Sequence, residues 1–323
     1  MKRDKLKLKF QFLIVITFVL LFFITCEDSR QDNFPELDHD GPYIENSIYF
    51  GRGDYIEYHS GSLPIILSVP HGGWLDPTEI PNRTQGITEI DTNTYQLTKI
   101  IMDTLTARFG GKPHVILCLL KRIKLDVNRE VLEAAEENIY GERAWAEYHH
   151  YLDIARELVT VNHGSGIVFD IHGHGENPDG YYDLRTWLGY LIKGYELDLP
   201  DEELNTLDFK DKSSIRVLAD SSSHSFINIL RGETSLGTIM DSLGYECVPS
   251  VSSLGPAGSR FFSGGYITAR HGSSEEGIIS AIQIELPQPG IRDTEENWSR
   301  YAGAFATAVG RYYEFHLGRS IQP

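Results

Sequence analysis

The stretch GIVFDIHGHG at residues 166–175 decides the fold. Its first half is a continuous apolar run, which is typical of a strand buried on both faces of a parallel sheet. Its second half places His172 and His174 two positions apart, so an extended chain points both imidazoles the same way. Ligands of open α/β sheets bind just outside the carboxyl ends of the strands. The stretch therefore predicts a buried strand that ends at a site.

Three other apolar runs also end in imidazole or charged side chains. The sequence reads SVPHGG at residues 68–73, LDVNR at 125–129 and QIELP at 283–287. Because the ends of parallel strands share one edge of a sheet, we expect these side chains to converge.

Between these runs the chain alternates strand and helix patterns. This alternation predicts a single α/β domain with a mixed, mostly parallel sheet and helices on both faces. Strands are expected at residues 64–69, 114–120, 166–171 and 278–286, extended segments at 245–249 and 265–270, helices at 88–109, 130–161 (with a break near 141), 223–243 and 294–317, and a hairpin or lid at 181–199.

The composition excludes one class of partner. The 323 residues carry 46 acidic and 29 basic side chains, which gives a formal net charge of −17. Nucleic acid is not expected as a partner, because binding phosphates needs a basic face. Cys118 and Cys247 lie in apolar runs and are predicted to be two buried thiols, with one disulfide as the alternative.

The N-terminus indicates export. Residues 1–25 hold a basic segment followed by an apolar run, which is typical of a secretory signal peptide. The next residue completes FITC (23–26), similar to the lipobox of bacterial lipoproteins, so Cys26 is the predicted lipidation site. Residues 26–45 then form a tether, and the protein is expected in the bacterial cell envelope, at the outer membrane or cell surface. An uncleaved membrane anchor is the alternative.

The imidazoles suggest a metal site. His71 follows a predicted strand end and precedes two glycines, and His172 ends another strand. Imidazole nitrogens and a carboxylate suit Zn²⁺, which keeps one position open for water in catalytic sites. Asp91 is the preferred carboxylate ligand, Glu89 is the reserve, and Asp76 ranks after both.

Two further segments supply an anion contact and an acid. Arg129 is a natural bidentate partner of a carboxylate and Asn128 can add one hydrogen bond, although Arg129 could instead form an internal salt bridge with Asp126 or Glu130. Glu285 ends a buried strand, where a carboxylate is costly unless it is paired or functional.

Glu285 can serve as a general base if its pKa is raised by burial. The alternative is a structural ion pair with Arg270 or Arg292. Asp170 is placed to orient the ring of a ligand histidine.

In this order, the motifs VPHG, DVNR, DIH, GGYITARHG (264–272) and QIE resemble those of the N-formylglutamate amidohydrolase family, which is related to the zinc carboxypeptidases and aspartoacylases. The resemblance spans residues 64–287 and assigns 46–318 to a catalytic domain with a zinc-exopeptidase fold. Carboxypeptidases carry a Glu three residues after the first ligand His, where this chain has Trp74. The carboxylate ligand must therefore come from elsewhere.

The resemblance also implies roles for individual residues. One zinc ion would be held by His71 and His172, Arg129 would bind a substrate carboxylate, and Glu285 would activate water. His174 would be a transition-state donor, or would replace His172 as ligand, and Arg270 would be a second anion contact.

The function expected on these grounds is zinc-dependent hydrolysis of an amide bond in a carboxylate-bearing substrate: an N-acyl amino acid, a peptide or a γ-glutamyl compound. The alternative is a catalytically inactive surface lipoprotein that binds peptide or glycan.

Overall fold

The computed structural model describes residue 37 and residues 41–177, 180–274 and 277–323. The predicted signal peptide, Cys26 and most of the tether lie outside the described residues. The folded unit spans Asp40–Pro323. Of the helices within the described ranges, none is long and apolar enough to cross a bilayer.

Eight strands of the described residues form one sheet. The strands are β1 Ile48–Phe50, β2 Ile56–His59, β3 Ile65–Val69, β4 His114–Cys118, β5 Ile167–His174, β6 Thr186–Gly189, β7 Cys247–Val248 and β8 Ser280–Pro287. Their order in the sheet is β1-β2-β4-β3-β5-β8-β6-β7. The central pairings β4–β3, β3–β5 and β5–β8 are parallel, and β6–β7 is too. The pairings β1–β2, β2–β4 and β8–β6 are antiparallel.

Helices cover both faces of this sheet, as predicted. In chain order they are α1 Thr94–Phe109, α2 Val131–Ala135, α3 Ile139–His163, α4 Gly194–Leu197, α5 Asp201–Leu204, α6 Leu207–Lys212, α7 Arg216–Ser221, α8 Phe226–Arg231, α9 Leu236–Ser242, α10 Tyr266–His271 and α11 Glu295–Leu317.

The central strands separate two apolar cores because alternate side chains point to opposite faces. Phe169 of β5 packs in one core with residues of α1 and α11, whereas Val168 packs in the other with residues of α3. The continuous apolar run that predicted a doubly covered strand is thus explained. Asp170 and His172 share the α3 side of β5 with Val168, which fixes the side of the sheet on which the site forms.

Two of the predicted helices differ from the structure, because hydrogen bonds hold residues near their N-terminal ends in a non-helical conformation. Helix α1 begins at Thr94, not at residue 88, because Asp91 N donates to His71 O (3.0 Å) and Thr94 Oγ1 donates to Asp91 O (2.8 Å). The predicted helix at 130–161 is interrupted ahead of residue 141, because Asn138 caps α3 by accepting from Gly141 N (2.9 Å).

One segment was assigned to the wrong type of element, and others are divided differently from the predictions. Residues 265–270 are not extended: they form α10, whose first turn is capped by Asn128 Oδ1, which accepts from Ile267 N (2.8 Å). Residues 223–243 form two helices, α8 and α9, and residues 181–199 contain the single strand β6 followed by α4. Strands β1 and β2 were not predicted. Cys118 and Cys247 are free and buried, which confirms the prediction of two thiols.

Candidate metal centre and active-site cavity

Three buried side chains meet at the carboxyl ends of β3 and β5. His71 Nδ1 lies 3.4 Å from Asp91 Oδ2, and His172 Nδ1 lies 3.3 Å from the same oxygen. One donor atom of each side chain lies within 4.8 Å of the others. This is the one group of three or more such ligand side chains among the residues that the structure describes.

Each of the two imidazoles is oriented by a second carboxylate. His71 Nε2 donates to Asp126 Oδ1 (2.7 Å), and His172 Nε2 donates to Asp170 Oδ2 (2.9 Å). A carboxylate can only accept, so both Nε2 atoms carry a proton, and in the neutral form of each ring, the form that binds a metal, Nδ1 has a lone pair. These two lone pairs face Asp91, the arrangement in which outer carboxylates orient metal-binding histidines.

Asp170 is itself fixed from helix α3. Ser68 Oγ donates to Asp170 Oδ1 (2.7 Å), and Tyr148 OH lies 2.7 Å from Ser68 Oγ. All three residues are fully buried, so the chain of hydrogen bonds is shielded from water. The position of the His172 ring is therefore set by the sheet and by α3 together.

The charges of the cluster favour a cation. Burial alone would raise the pKa of Asp91, but hydrogen bonds and charge from His172 and His71 hold it well below its ordinary value. Burial alone would lower the pKa of His172, but the neighbouring carboxylates, Asp170 first, raise it well above its ordinary value. The negative potential of these carboxylates, which stabilises a proton on His172, also attracts a divalent cation.

The donor set fits Zn²⁺. Two imidazole nitrogens and one carboxylate oxygen are a common catalytic zinc set, and they leave one position open. His71 Nδ1 is buried and has no hydrogen-bond partner, as expected for an atom that ligates a metal. The sequence-based candidates Glu89 and Asp76 are not in the group: Glu89 is exposed, and Asp76 Oδ2 lies 2.7 Å from Lys121 Nζ.

We predict that Asp170→Asn lowers zinc affinity by about 10–100-fold, the usual cost of losing an outer hydrogen-bond partner. The amide removes the negative charge that orients the His172 ring, while the ligands themselves remain. Competition with a chromophoric chelator measures the affinity. Asp76→Asn, the same substitution at a half-exposed aspartate paired with lysines, is the control and should change nothing. Equal affinity for both variants contradicts the outer-partner role.

A cavity of about 500 Å³ opens beside this cluster. Its lining includes Asp91, His172, His174, Glu285 and Asn128, together with four arginines. The arginines that line it are Arg122, Arg129, Arg260 and Arg292.

Glu285 lies next to the cluster on the neighbouring strand. It is paired in register with His172 across β5–β8 and with Trp187 across β6–β8. Its side chain is buried, and Oε1 accepts from Gln283 Nε2 (2.8 Å). Burial raises the pKa of Glu285, an effect that the nearby His172 opposes. The alternative pairing of Glu285 with Arg270 or Arg292 is not among its contacts.

His174 lines the cavity, and its ring is held by neighbouring groups. Its Nε2 donates to Arg185 O (3.0 Å), and its ring stacks on Trp187 with centroids 3.9 Å apart. Burial lowers the pKa of His174 to about 4, so the ring is neutral and Nδ1 has no proton to donate. His174 is also absent from the three-residue ligand group.

Of the three predicted anion contacts, Arg129 and Asn128 line the cavity and Arg270 does not. Arg129 lines the cavity, where its Nε lies 3.0 Å from Glu133 Oε1, one turn further on; neither Asp126 nor Glu130 is its partner. Asn128 also lines the cavity, although its Oδ1 is occupied by Ile267 N.

Arg270 does not line the cavity, which contradicts the prediction that it is a second anion contact there. Because residues 265–270 turn into a helix, its guanidinium is carried to the outer side, 5.4 Å from the centre of the Trp145 ring. Arg260, which the sequence analysis missed, lines the cavity and lies 4.9 Å from the centre of the Phe262 ring. Nothing local in the sequence distinguishes Arg260 from an ordinary surface arginine.

Two other arginines hold the site together, in roles that the sequence did not predict. Arg122 Nε donates to Asp126 Oδ2 (3.0 Å), and Arg122 Nη1 lies 3.7 Å from Asp91 Oδ1. Arg292 is buried and donates to His174 O (2.8 Å) and Leu286 O (3.0 Å). A β-carbon at Gly173 would collide with the Arg292 guanidinium, which explains the glycine between the two histidines.

No protein-family model matches the chain, and no curated protein matches it. Among solved structures, it is similar to N-formylglutamate amidohydrolase from Ralstonia eutropha JMP134 at 13% identity, with a TM-score of 0.47, over 84% of this chain and 98% of that one. It is also similar to the catalytic domain of CwlV, an N-acetylmuramoyl-L-alanine amidase from Bacillus (Paenibacillus) polymyxa, at 10% identity, with a TM-score of 0.34, over 78% and 98%. These similarities assign neither a family nor a substrate to this chain.

Proposed function

We propose that this chain is a zinc-dependent hydrolase that cleaves an amide bond in a carboxylate-bearing substrate, as members of the N-formylglutamate amidohydrolase family do. The observation that carries the proposal is the convergence of His71, His172 and Asp91 beside the buried Glu285, at the edge of a cavity lined by arginines. When bound, Zn²⁺ supplies a Lewis acid and lowers the pKa of its water to about 7.

Glu285 is the proposed general base. Its Oε1 is held by Gln283, so Oε2 is the oxygen that takes a proton from the attacking water and returns it to the leaving amine nitrogen. Burial raises its pKa, which makes this carboxylate a better base than an exposed glutamate. Its place in register with His172 puts it beside the ligand group.

Arg129 and the amide nitrogen of Asn128 are the proposed carboxylate-binding groups. A substrate carboxylate would displace the half-exposed Glu133 from Arg129, an exchange with a small cost because exposed ion pairs contribute about 0–1 kcal/mol. Fixing the substrate in this way would orient its amide within the cavity that Asp91 and His172 also line, and such positioning can supply several kcal/mol of the barrier.

The experiment that tests the proposal is a substrate panel. Zinc-loaded protein is incubated with N-acetyl-L-amino acids, dipeptides and γ-glutamyl dipeptides, and released amino acids are read by mass spectrometry. We expect chelator-sensitive release from at least one class. Stoichiometric zinc without release from any class would overturn the hydrolase proposal and favour a surface protein that binds peptide or glycan.

Within the active class, Arg129→Ala should raise KM by about 10–100-fold and leave kcat nearly unchanged, the pattern expected when uniform binding is lost. Arg300→Ala, at an exposed position on α11 paired with Glu296, is the matched control and should leave both parameters unchanged. Steady-state kinetics measures both. An Arg129 variant with the KM of the control would exclude this arginine as the carboxylate site.

The location is proposed from the N-terminal sequence alone. A lipid anchor at Cys26 would hold the enzyme at the membrane of a bacterial envelope, where its substrates are small molecules or peptides outside the cytoplasm. Metabolic labelling with a fatty-acid analogue, comparing the native chain with Cys26→Ala, tests the anchor.

A further inference from the structure

The carbonyls on both sides of Asn128 are held from behind by helix α3. His149 Nε2 donates to Val127 O (3.0 Å), and Trp145 Nε1 donates to Arg129 O (2.9 Å). Trp145 and His149 are four residues apart, so they lie on the same face of the helix. The turn that presents Asn128 and Arg129 to the cavity is therefore fixed by two side-chain donors that do not face the cavity.

A second imidazole holds the first. His149 Nδ1 lies 2.8 Å from His271 Nε2, and the two ring planes differ by 12°. A carbonyl oxygen only accepts, so His149 carries its proton on Nε2, and its Nδ1 accepts from His271 Nε2. Burial lowers the pKa of both imidazoles, which are 1% and 0% exposed.

The chain of contacts ends on the surface. His271 Nδ1 lies 3.3 Å from Asp153 Oδ1, on the next turn of α3. Arg270 covers the outer side, with its guanidinium over the Trp145 ring and 3.5 Å from Asp153 Oδ2. We call Trp145, His149, Asp153, Arg270 and His271 the loop clamp.

Helix α10 connects the clamp to the same turn from the other side. It contains His271, and its first turn is bonded to Asn128 Oδ1 through Ile267 N. A β-carbon at Gly265 would collide with the Asn128 carboxamide, so this close approach requires glycine. The turn is thus held between α3 and α10.

We propose that the loop clamp positions Asn128 and Arg129 for the substrate carboxylate, and that its members are positioning residues rather than catalytic ones. The metal centre has a support outside the clamp, because Asp126, which orients His71 and accepts from Asn128 N (3.0 Å), is also held by Arg122. Loosening the clamp therefore weakens substrate binding more than metal binding. This inference rests on the proposed function, in which Arg129 binds a carboxylate.

Two variants of His149 separate positioning from packing. His149→Leu keeps the volume and loses the donor to Val127 O, whereas His149→Gln retains an amide N–H near the Nε2 position. We expect His149→Leu to raise KM about 10-fold for the N-acetyl-L-amino acid that the wild type hydrolyses fastest, with kcat and zinc content nearly unchanged. His149→Gln should restore most of the affinity. Trp145→Phe, which removes one donor and keeps the ring, is the second variant if His149→Leu fails to fold.

A double-mutant cycle with Arg129→Ala tests the route of the effect. If the clamp acts through Arg129, its loss should add little to the KM of Arg129→Ala. An undiminished 10-fold effect in that background would show general loosening of the fold and overturn the proposal. So would an unchanged KM in both His149→Leu and Trp145→Phe.

Hydrogen exchange provides a readout that does not depend on activity. In the full chain, amides of residues 125–131 should exchange faster in His149→Leu and Trp145→Phe than in the wild type, with those of β5 unchanged. Unaltered exchange in 125–131 would disprove the clamp even if the protein is an active hydrolase. Faster exchange in a protein that hydrolyses no substrate would confirm that the loop clamp holds the turn, but it would contradict a role of the clamp in substrate binding.

Discussion

Replacing Glu285 with glutamine should reduce kcat by about 10²–10⁴-fold, the usual contribution of a general base. The amide has nearly the same shape as the carboxylate but cannot take a proton from water. Zinc content should remain stoichiometric, because Glu285 is not among the three ligand side chains. KM should change little, since the residue is buried and contributes to the transition state more than to substrate binding.

The matched control is Glu89→Gln. Glu89 lines the same cavity but is exposed, and it is not in the ligand group, so this change should leave kcat within about twofold of the wild type, as expected for substitutions away from special features. Kinetics with metal analysis on the same samples decides the matter. A Glu285→Gln enzyme that retains near wild-type turnover with zinc bound would remove Glu285 from the mechanism.

The strand ends were predictable because their signal is local. Apolar runs followed at once by His172 or Glu285 indicate buried strands that end at a site, and the parallel sheet brings those ends together. His71 and His172 were proposed as ligands on this basis, whereas Asp91 was proposed from the acidic start of the following predicted helix. The structure gathers these three side chains. The sequence therefore predicted which residue types form the site and at which edge of the sheet they lie.

The outer parts of the site depend on contacts between distant segments. Asp126 was considered only as a salt-bridge partner of Arg129, yet it orients His71 from 55 positions away. Tyr148, which fixes Asp170 through Ser68, lies 80 positions from that serine in an ordinary amphipathic helix. No local pattern distinguishes such residues from core residues.

The wrong prediction of secondary structure for residues 265–270 also led to a wrong position for Arg270. The apolar and β-branched residues of 265–270 favour an extended chain. In the structure Asn128 caps the segment instead, and the helix carries Arg270 away from the cavity. A tertiary hydrogen bond therefore overrides local propensity, and the cationic lining comes from other segments, including Arg260.

Replacing Asp91 with alanine should abolish stoichiometric zinc binding and, with it, activity. The affinity should fall by more than about 100-fold, beyond the roughly 10–100-fold cost of losing an outer partner, because a ligand itself is removed. Asp91 Oδ2 faces both Nδ1 atoms of the histidine pair, so no other described carboxylate replaces it within the group.

The loss of Asp91 also changes the charge of the cluster. Without this carboxylate, the two imidazoles keep their outer partners Asp126 and Asp170 but have no anion between them. The fold should survive, because the lost hydrogen bond from Gly173 N (3.0 Å) contributes about 0.5–1.5 kcal/mol, and Arg122, 3.7 Å from Asp91, keeps Asp126 as its partner. Thermal unfolding should therefore show a modest decrease in the zinc-free state.

The measurement is zinc titration of the chelator-stripped wild type and of Asp91→Ala, followed by calorimetry and by thermal unfolding. In the wild type, zinc should raise the melting temperature, because a ligand that binds only the folded state stabilises it. That increase should disappear in Asp91→Ala and remain in Asp76→Asn. If zinc stabilises Asp91→Ala as much as the wild type, the ion binds elsewhere, and the centre formed by His71, Asp91 and His172 is not its site.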